Sequence, residues 1–372
     1  MATTQSGRVQ RIVDGSAWRD FCRELERAGE VLLRDEVPTD PLQRAEGIRY
    51  LTRLLRAGLE QQLEYGDPRF SGFYQLSNQT IKIGNDNPDN IYWNANVSGA
   101  HEYRISGTRG TMPYLSFGTK SGGYEVDGTM VPTGKLDGRD LQIRPDGTFE
   151  LVVSCKPQPG NWLPMTPETR ALIVRMTFHD REKEVPAKLR IERIGAEGAP
   201  VLDPETLEEG LQRAVGLVRR TSNLFVEWMN HYSAHENELP SDDQERCMRA
   251  GGDAQIHYLQ SRWRVGPDEA LWIRVPRIPE CATWNLQISN YWMESLDYRY
   301  LKVHVNKHSA HTEPDGSVRI VLAHRDPGPR FQNWLTTAGH LEGGMLFRWV
   351  EAKEHPPVET RLVKLDELAA LP

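Results

Sequence analysis

The sequence has little of several things, and each scarcity excludes a class of protein. Four cysteines, Cys22, Cys155, Cys247 and Cys281, stand far apart with no CxxC pair, so neither a disulfide framework nor a zinc knuckle is expected and the thiols read as reduced in a cytoplasm. No stretch of apolar residues approaches the length of a membrane span, and the opening residues lack the apolar region of a signal peptide. There is no long run of Lys or Arg, and the formal net charge is −7. Nucleic acid as a partner is therefore not expected, because phosphate binding calls for a basic face. The sequence also lacks a nucleophile elbow, a Walker loop and a dinucleotide fingerprint; the glycines at Ser121-Gly122-Gly123 have no helix signal behind them.

What remains is a chain of 372 residues, long enough for two or three domains, with 38% hydrophobic and 26% charged residues. Ten Trp and twelve Tyr are the unusual component. Such rings hold flat ligands or sugars, but their commoner use is packing between elements.

Helical spacing appears at Trp18, Phe21, Cys22, Leu25 and Leu32, and again at Ile48, Leu51, Leu55 and Leu59 after Thr39-Asp40-Pro41, which makes a helix start. An N-terminal helical hairpin up to about Tyr65 follows, with apolar faces most simply packed on the sheets that come next. From Tyr74 to Ile194 short alternating runs separated by glycine replace that pattern. They favour an antiparallel sandwich or jelly roll over a parallel sheet with crossover helices. Asp203-Pro204-Glu205 opens a long amphipathic connector helix ending before Pro240, and short strands resume from Ile256 to Leu365. The expected class is mainly β with helices (α+β). It divides into an N-terminal helical segment (1–70), a first β module (71–200), a connector helix (201–250) and a second β module (251–372).

The two β regions repeat one another. Asp146-Gly147-Thr148-Phe149 corresponds to Asp315-Gly316-Ser317-Val318, Asn161-Trp162-Leu163 to Asn333-Trp334-Leu335, Arg175 to Arg348, and Pro186 to Pro357. Four landmarks in one order at nearly one spacing indicate a tandem duplication. Each Asn-Trp-Leu reads as the end of a loop, with Trp closing the sandwich and Asn tying the backbone. The copies differ in polar content: Ser154-Cys155-Lys156-Pro157 in the first stands where the second has Ala323-His324-Arg325-Asp326-Pro327-Gly328. The expectation is that the first copy supports and the second functions.

The block from Ala323 to Gly328, the run Asn333-Trp334-Leu335-Thr336-Thr337-Ala338-Gly339-His340 and the pair Arg348-Trp349 resemble the signature of domain of unknown function 1214. Asn87-Pro88-Asp89-Asn90-Ile91-Tyr92 and Pro113-Tyr114-Leu115-Ser116-Phe117 resemble segments of bacterial proteins bearing it. The link Pro329-Arg330-Phe331-Gln332 is longer than that pattern has. The resemblance implies a β-sandwich and no activity, substrate or cofactor.

Two functional readings follow. In one, His324, Asp326 and His340 perform acid–base chemistry of a lyase, hydrolase or isomerase type on a small molecule, because imidazoles titrate near neutral pH. Its cleft is lined by Trp284, Trp292 and Trp334, with Arg325 for an anion and Asn285 or Asn333 for a hydroxyl. The competing account of Arg325 and Asp326 is an ion pair that locks a turn. In the other reading the protein is a non-catalytic sandwich that binds a carbohydrate or a hydrophobe. No cofactor is expected. His324-x-Asp326 and His340-x-Glu342 offer ligands to a divalent ion without a recognised spacing. His231, His235 and Glu238 read as solvent-facing, and Asp86-Asn87-Pro88-Asp89-Asn90 as a turn cluster.

Overall fold

A computed structural model of the chain describes residues 7–241 and 243–371. Three helices lead: α1 (Gly7–Val13), α2 (Ser16–Ala28) and α3 (Pro41–Leu59). The start of α3 is set by Asp40, whose carboxylate accepts the Gln43 N–H at 3.0 Å ahead of Pro41.

The first module contains β1 (Asn90–Asn96), β2 (Tyr103–Thr108), β3 (Tyr114–Gly123), β4 (Thr129–Asp137), β5 (Thr148–Ser154), β6 (Trp162–Pro164), β7 (Thr169–Thr177) and β8 (Lys188–Arg193). Helix α4 (Pro204–Tyr232), capped by Asp203 on the Thr206 N–H, and the short α5 (Gln244–Arg249) connect it to the second module. That module contains β9 (Ile256–Arg264), β10 (Glu269–Val275), β11 (Thr283–Ile288), β12 (His304–Asn306), β13 (Val318–Ala323), β14 (Trp334–Thr336), β15 (Glu342–Val350) and β16 (Glu359–Lys364).

Each module is a pair of four-stranded sheets. In the first, the orders are β1-β7-β3-β4 and β6-β5-β2-β8; in the second, β9-β15-β11-β12 and β14-β13-β10-β16. The second set is the first with every strand advanced by eight, so the duplication read from the landmarks is a duplication of topology. All ladders are antiparallel except β5 with β6 and β13 with β14, which are parallel in both modules. The core of the first module takes Leu115, Phe117 and Val174 from one sheet and Ile105, Phe149 and Leu151 from the other, the arrangement of a sandwich. The second does the same with Leu286 and Phe347 against Ile273 and Ile320.

The Asn-Trp-Leu segments behave alike in the two copies. Asn161 donates to the carbonyls of Gln142 and Glu150, and Asn333 to those of His311 and Arg319. Trp162 and Trp334 donate from Nε1 to the carbonyls of Ser154 and Ala323, and both rings are half-buried at the sandwich edge.

The N-terminal helices differ from expectation in what they cover. They pack on α4 rather than chiefly on the sheets, because α4 offers Leu217, Val218, Phe225 and Met229 as an apolar stripe to the same central core that holds Tyr50 and Leu54. Trp18 and Ile48, on the expected apolar faces, are instead 62% and 57% exposed. Among the described residues no helix is long and apolar enough to cross a membrane.

Candidate functional site

The polar block of the second module is held in hydrogen bonds that shape its loop. His324 Nε2 lies 2.9 Å from the Val265 carbonyl, so it carries the proton there, and Nδ1 accepts from the Thr337 hydroxyl at 2.9 Å. His340 is buried, with Nδ1 3.0 Å from the Thr337 carbonyl and Nε2 3.5 Å from Glu46 on α3. The two imidazoles thus meet through Thr337. Asp326 is exposed and accepts the Gly328 N–H, and exposed Arg325 pairs with Asp268.

The three tryptophans go to separate places. Trp284 is 1% exposed in the sandwich core, stacked on Phe347 with centroids 5.5 Å apart. Trp292 belongs to the central core, near Tyr50, with Nε1 donating to the Gln43 carbonyl at 2.9 Å. Trp334 packs on a third cluster with Phe331 and Trp272. Asn285 is buried and donates to Asn87 and Asp89 at 2.6 and 2.8 Å, while Asn333 serves its own loop. His231 lies 3.2 Å from Asp243 and His235 4.0 Å from Glu238. Among the described residues no group of three His, Cys, Asp or Glu side chains gathers in metal-binding range.

A different set of residues converges where the modules meet. The strands β7 and β15 present Arg175 and Arg348, each cross-strand from a tyrosine, Tyr92 on β1 and Tyr258 on β9. These four side chains line one cavity of about 150 Å³, together with Asn85, Asp86, Asn90 and Cys247. Its apolar wall includes Ile83, Met130, Ile173, Phe225 and Trp228. None of the nine residues expected from sequence to act on a ligand lines this space.

The segment before each tyrosine crosses to the other module, which is how both contribute. Residues 84–89 lie on the sheet of β11 and β15: Asn285 reaches Asn87, Gln287 reaches the Asp86 carbonyl at 2.8 Å, and Arg348 donates to the Asn85 carbonyl. Residues 251–253 lie on the sheet of β3 and β7 in the same way. Arg175 donates to the Gly251 carbonyl, and Tyr114 and Lys135 reach the Asp253 carboxylate at 3.0 and 2.7 Å.

Both tyrosine hydroxyls accept a backbone N–H from five residues earlier, Tyr92 from Asn87 at 3.1 Å and Tyr258 from Asp253 at 2.9 Å. Each hydroxyl then keeps its own proton for donation. Burial raises the Tyr258 phenol above its ordinary range, so it remains a neutral donor at physiological pH. Burial also pushes the Cys247 thiol up to about 12; it is a protonated, weakly nucleophilic group whose sulfur accepts from the Gln260 amide.

Asn85 is the anomaly of the site. It is 1% exposed, its backbone is left-handed with φ 56°, and among the described residues neither its side-chain oxygen nor its nitrogen has a hydrogen-bond partner. A buried amide in that condition costs about 1–3 kcal/mol, and the left-handed backbone adds to the cost.

A second cavity of about 650 Å³ adjoins the first, and Leu76, Tyr124 and Met130 line both. Tyr124, in the turn between β3 and β4, donates to the Ala250 carbonyl at 2.6 Å. The outer space is bordered by Gln61, Glu125, Arg170 and Arg213.

Sequence reasoning passed over this set. In the sequence Arg175 and Arg348 stand as landmarks of the repeat, and Tyr92 lies in a segment of family resemblance. The available signal was a buried-strand position occupied by arginine in both copies, which hydrophobic patterning alone does not demand.

A crystal structure of an uncharacterised protein from Burkholderia cenocepacia is 50% identical to this chain, covers 98% of it and 100% of its own length, and superposes with a TM-score of 0.94. A protein from Vibrio parahaemolyticus, 11% identical, aligns over 85% of this chain and 98% of its own with a TM-score of 0.47. No curated protein matches the chain. Residues 92–179 and 260–354, corresponding parts of the two modules, match the model of the protein family of unknown function DUF1214, and the chain belongs to that family.

Proposed function

We propose that the protein binds a small organic molecule in the cavity at the junction of the two modules. Asn85 carries this reading: a buried amide with no partner among the described residues, on left-handed backbone, is held at a cost to stability. Such local conflicts cluster at functional sites. The cavity has the composition of a ligand site, with an apolar wall and a few convergent donors. The tyrosine hydroxyls, the arginines and Asn85 supply those donors. The larger cavity adjoins it across Leu76, Tyr124 and Met130.

This reading is preferred to acid–base chemistry at His324, Asp326 and His340. The His324 nitrogens and the Asp326 carboxylate are engaged by Val265, Thr337 and Gly328, and the tryptophans meant to form a cleft lie in separate clusters.

The test is a thermal-shift panel of small organic compounds on the wild-type chain and on Ile173→Phe, whose longer side chain fills the cavity. Compounds that raise the Tm of the wild type and not of the variant are the expected result. If every stabilising compound acts equally on both proteins, the cavity is not the site.

A further inference from the structure

The two modules present equivalent arginines to the cavity in unequal electrostatic settings. Asn87 and Asp253 are structural counterparts: each gives its N–H to the tyrosine five residues on, and each accepts on Oδ1 the N–H two residues on. One is an amide and the other a carboxylate. Asp253 lies 3.9 Å from Arg175, so that guanidinium has a counter-charge. Arg348, 5% exposed, donates to the side chains of Gln287 and Asn285 and to the Asn85 carbonyl, all neutral. The nearby carboxylates are committed elsewhere. Asp86 accepts from the N–H and hydroxyl of Ser295, with Lys82 acting on it electrostatically, and Asp89 accepts from Asn285 and Asn306 and lies 3.2 Å from His304.

The consequences appear in the arginines themselves. Burial weighs most heavily against the charge of both; at Arg175 it is outweighed by Asp253 together with Tyr258, Tyr92 and Tyr114, whereas at Arg348 burial prevails over Tyr92, Tyr258 and the more weakly acting Asp86 and Asp89 and lowers the pKa. A buried cation whose hydrogen-bond partners are all neutral is costly, and an anionic ligand removes that cost with charge-assisted hydrogen bonds.

We propose that the ligand is an organic carboxylate, its anion bound by Arg348, the unpartnered Asn85 amide and the Tyr92 hydroxyl, with its apolar body against Ile83, Phe225 and Trp228. This rests on the cavity being the binding site. The apolar wall selects an organic anion over an inorganic one. The volume sets the scale, since an apolar cavity of about 150 Å³ admits a benzene ring.

Isothermal titration calorimetry with benzoate, benzamide and inorganic phosphate tests the assignment, on the wild type and on Asn87→Asp. That variant gives Arg348 the carboxylate that Arg175 already has, and retains the oxygen that accepts from Asn285. Thermal unfolding of the variant establishes that it is folded. In the wild type, benzoate is expected to bind at least tenfold more tightly than benzamide and than phosphate. In Asn87→Asp, benzoate affinity falls at least tenfold while benzamide stays within twofold. Benzamide binding as tightly as benzoate, or an undiminished benzoate preference in folded Asn87→Asp, overturns the carboxylate proposal and leaves the cavity reading standing. Phosphate binding as tightly as benzoate overturns the organic part of it. Heat from none of the three in the wild type overturns the proposal at this ligand size, whereas failure of the compound panel with Ile173→Phe is what removes the cavity reading.

Discussion

Asn85 and Gly251 hold the same left-handed position in the two modules, with φ of 56° and 99°, and each backbone carbonyl receives the guanidinium of the opposite module's arginine, Arg348 or Arg175. The glycine is the residue this conformation favours. Asn85→Gly is therefore expected to leave the ligand-free protein as stable as wild type or more so by up to about 1 kcal/mol, while weakening ligand affinity at least tenfold. Asn85→Ala, which keeps a Cβ at positive φ, is expected to lose about 1 kcal/mol or more. Urea unfolding together with ligand titration separates the effects; a glycine variant that is both less stable and equally competent would contradict this account.

Helix α3 crosses the Trp292 indole at Gly47, where an added Cβ would overlap the ring and the Leu32 side chain. Gly47→Ala is expected to lower stability by about 1–3 kcal/mol through overpacking. The same variant should weaken the contact that ties the N-terminal helices to the second module, where Trp292 donates to the Gln43 carbonyl. Amide exchange across α3 would report it as earlier opening; unchanged protection there would show that the helix adjusts freely.

Burial pushes the Lys120 amine down to about 7, with Arg175 and Lys135 adding to the effect and Asp253 opposing it. Its ordinary value is 10.5. Between those limits the unfolded chain carries a proton that the folded chain does not, so this group's contribution makes folding more favourable as pH rises through that window. Lys120→Met should remove the contribution. The stability of the wild type relative to the variant is then expected to climb between pH 7 and pH 9, by at most about 1.4 kcal/mol per unit. Urea denaturation at pH 7, 8 and 9 measures the slope, and parallel curves for the two proteins would refute it.

His324 bridges the Val265 carbonyl and the Thr337 hydroxyl, joining the loop after β13 to the segment after β9. His324→Ala is expected to cost about 1–3 kcal/mol by leaving those groups without their partner, with ligand affinity in the central cavity unchanged within twofold. Loss of ligand binding in a variant of normal stability would return the polar block of the second module to the functional site.

Much of the architecture was legible in the linear order of residues. Alternation and glycine turns marked the strands, Asp203-Pro204 marked α4, and the recurrence of Asn-Trp-Leu and of Arg175 as Arg348 marked the repeat. These signals are local or periodic, and a chain writes local and periodic signals directly into its sequence. The roles of the Asn-Trp-Leu loops were also readable, because their hydrogen bonds reach only 8–22 residues along the chain.

The site was decided at longer range. Asn285 meets Asn87 across 198 residues, and Arg348 meets the Asn85 carbonyl across 263. No spacing rule announces contacts of that kind, nor that His324 hydrogen-bonds the Val265 carbonyl and the Thr337 hydroxyl while Asp326 accepts the Gly328 N–H. By itself the sequence determined two copies of one sandwich joined by a helix, since patterning and turn chemistry act within each segment. Only the tertiary structure decided that each copy extends a segment onto the other's sheet, placing two tyrosines and two arginines around one cavity, with Asp253 beside Arg175 and neutral hydrogen-bond acceptors on Arg348. Burial and counter-charge are properties of what surrounds a residue in space, and they depend on neighbours that the chain order keeps far apart.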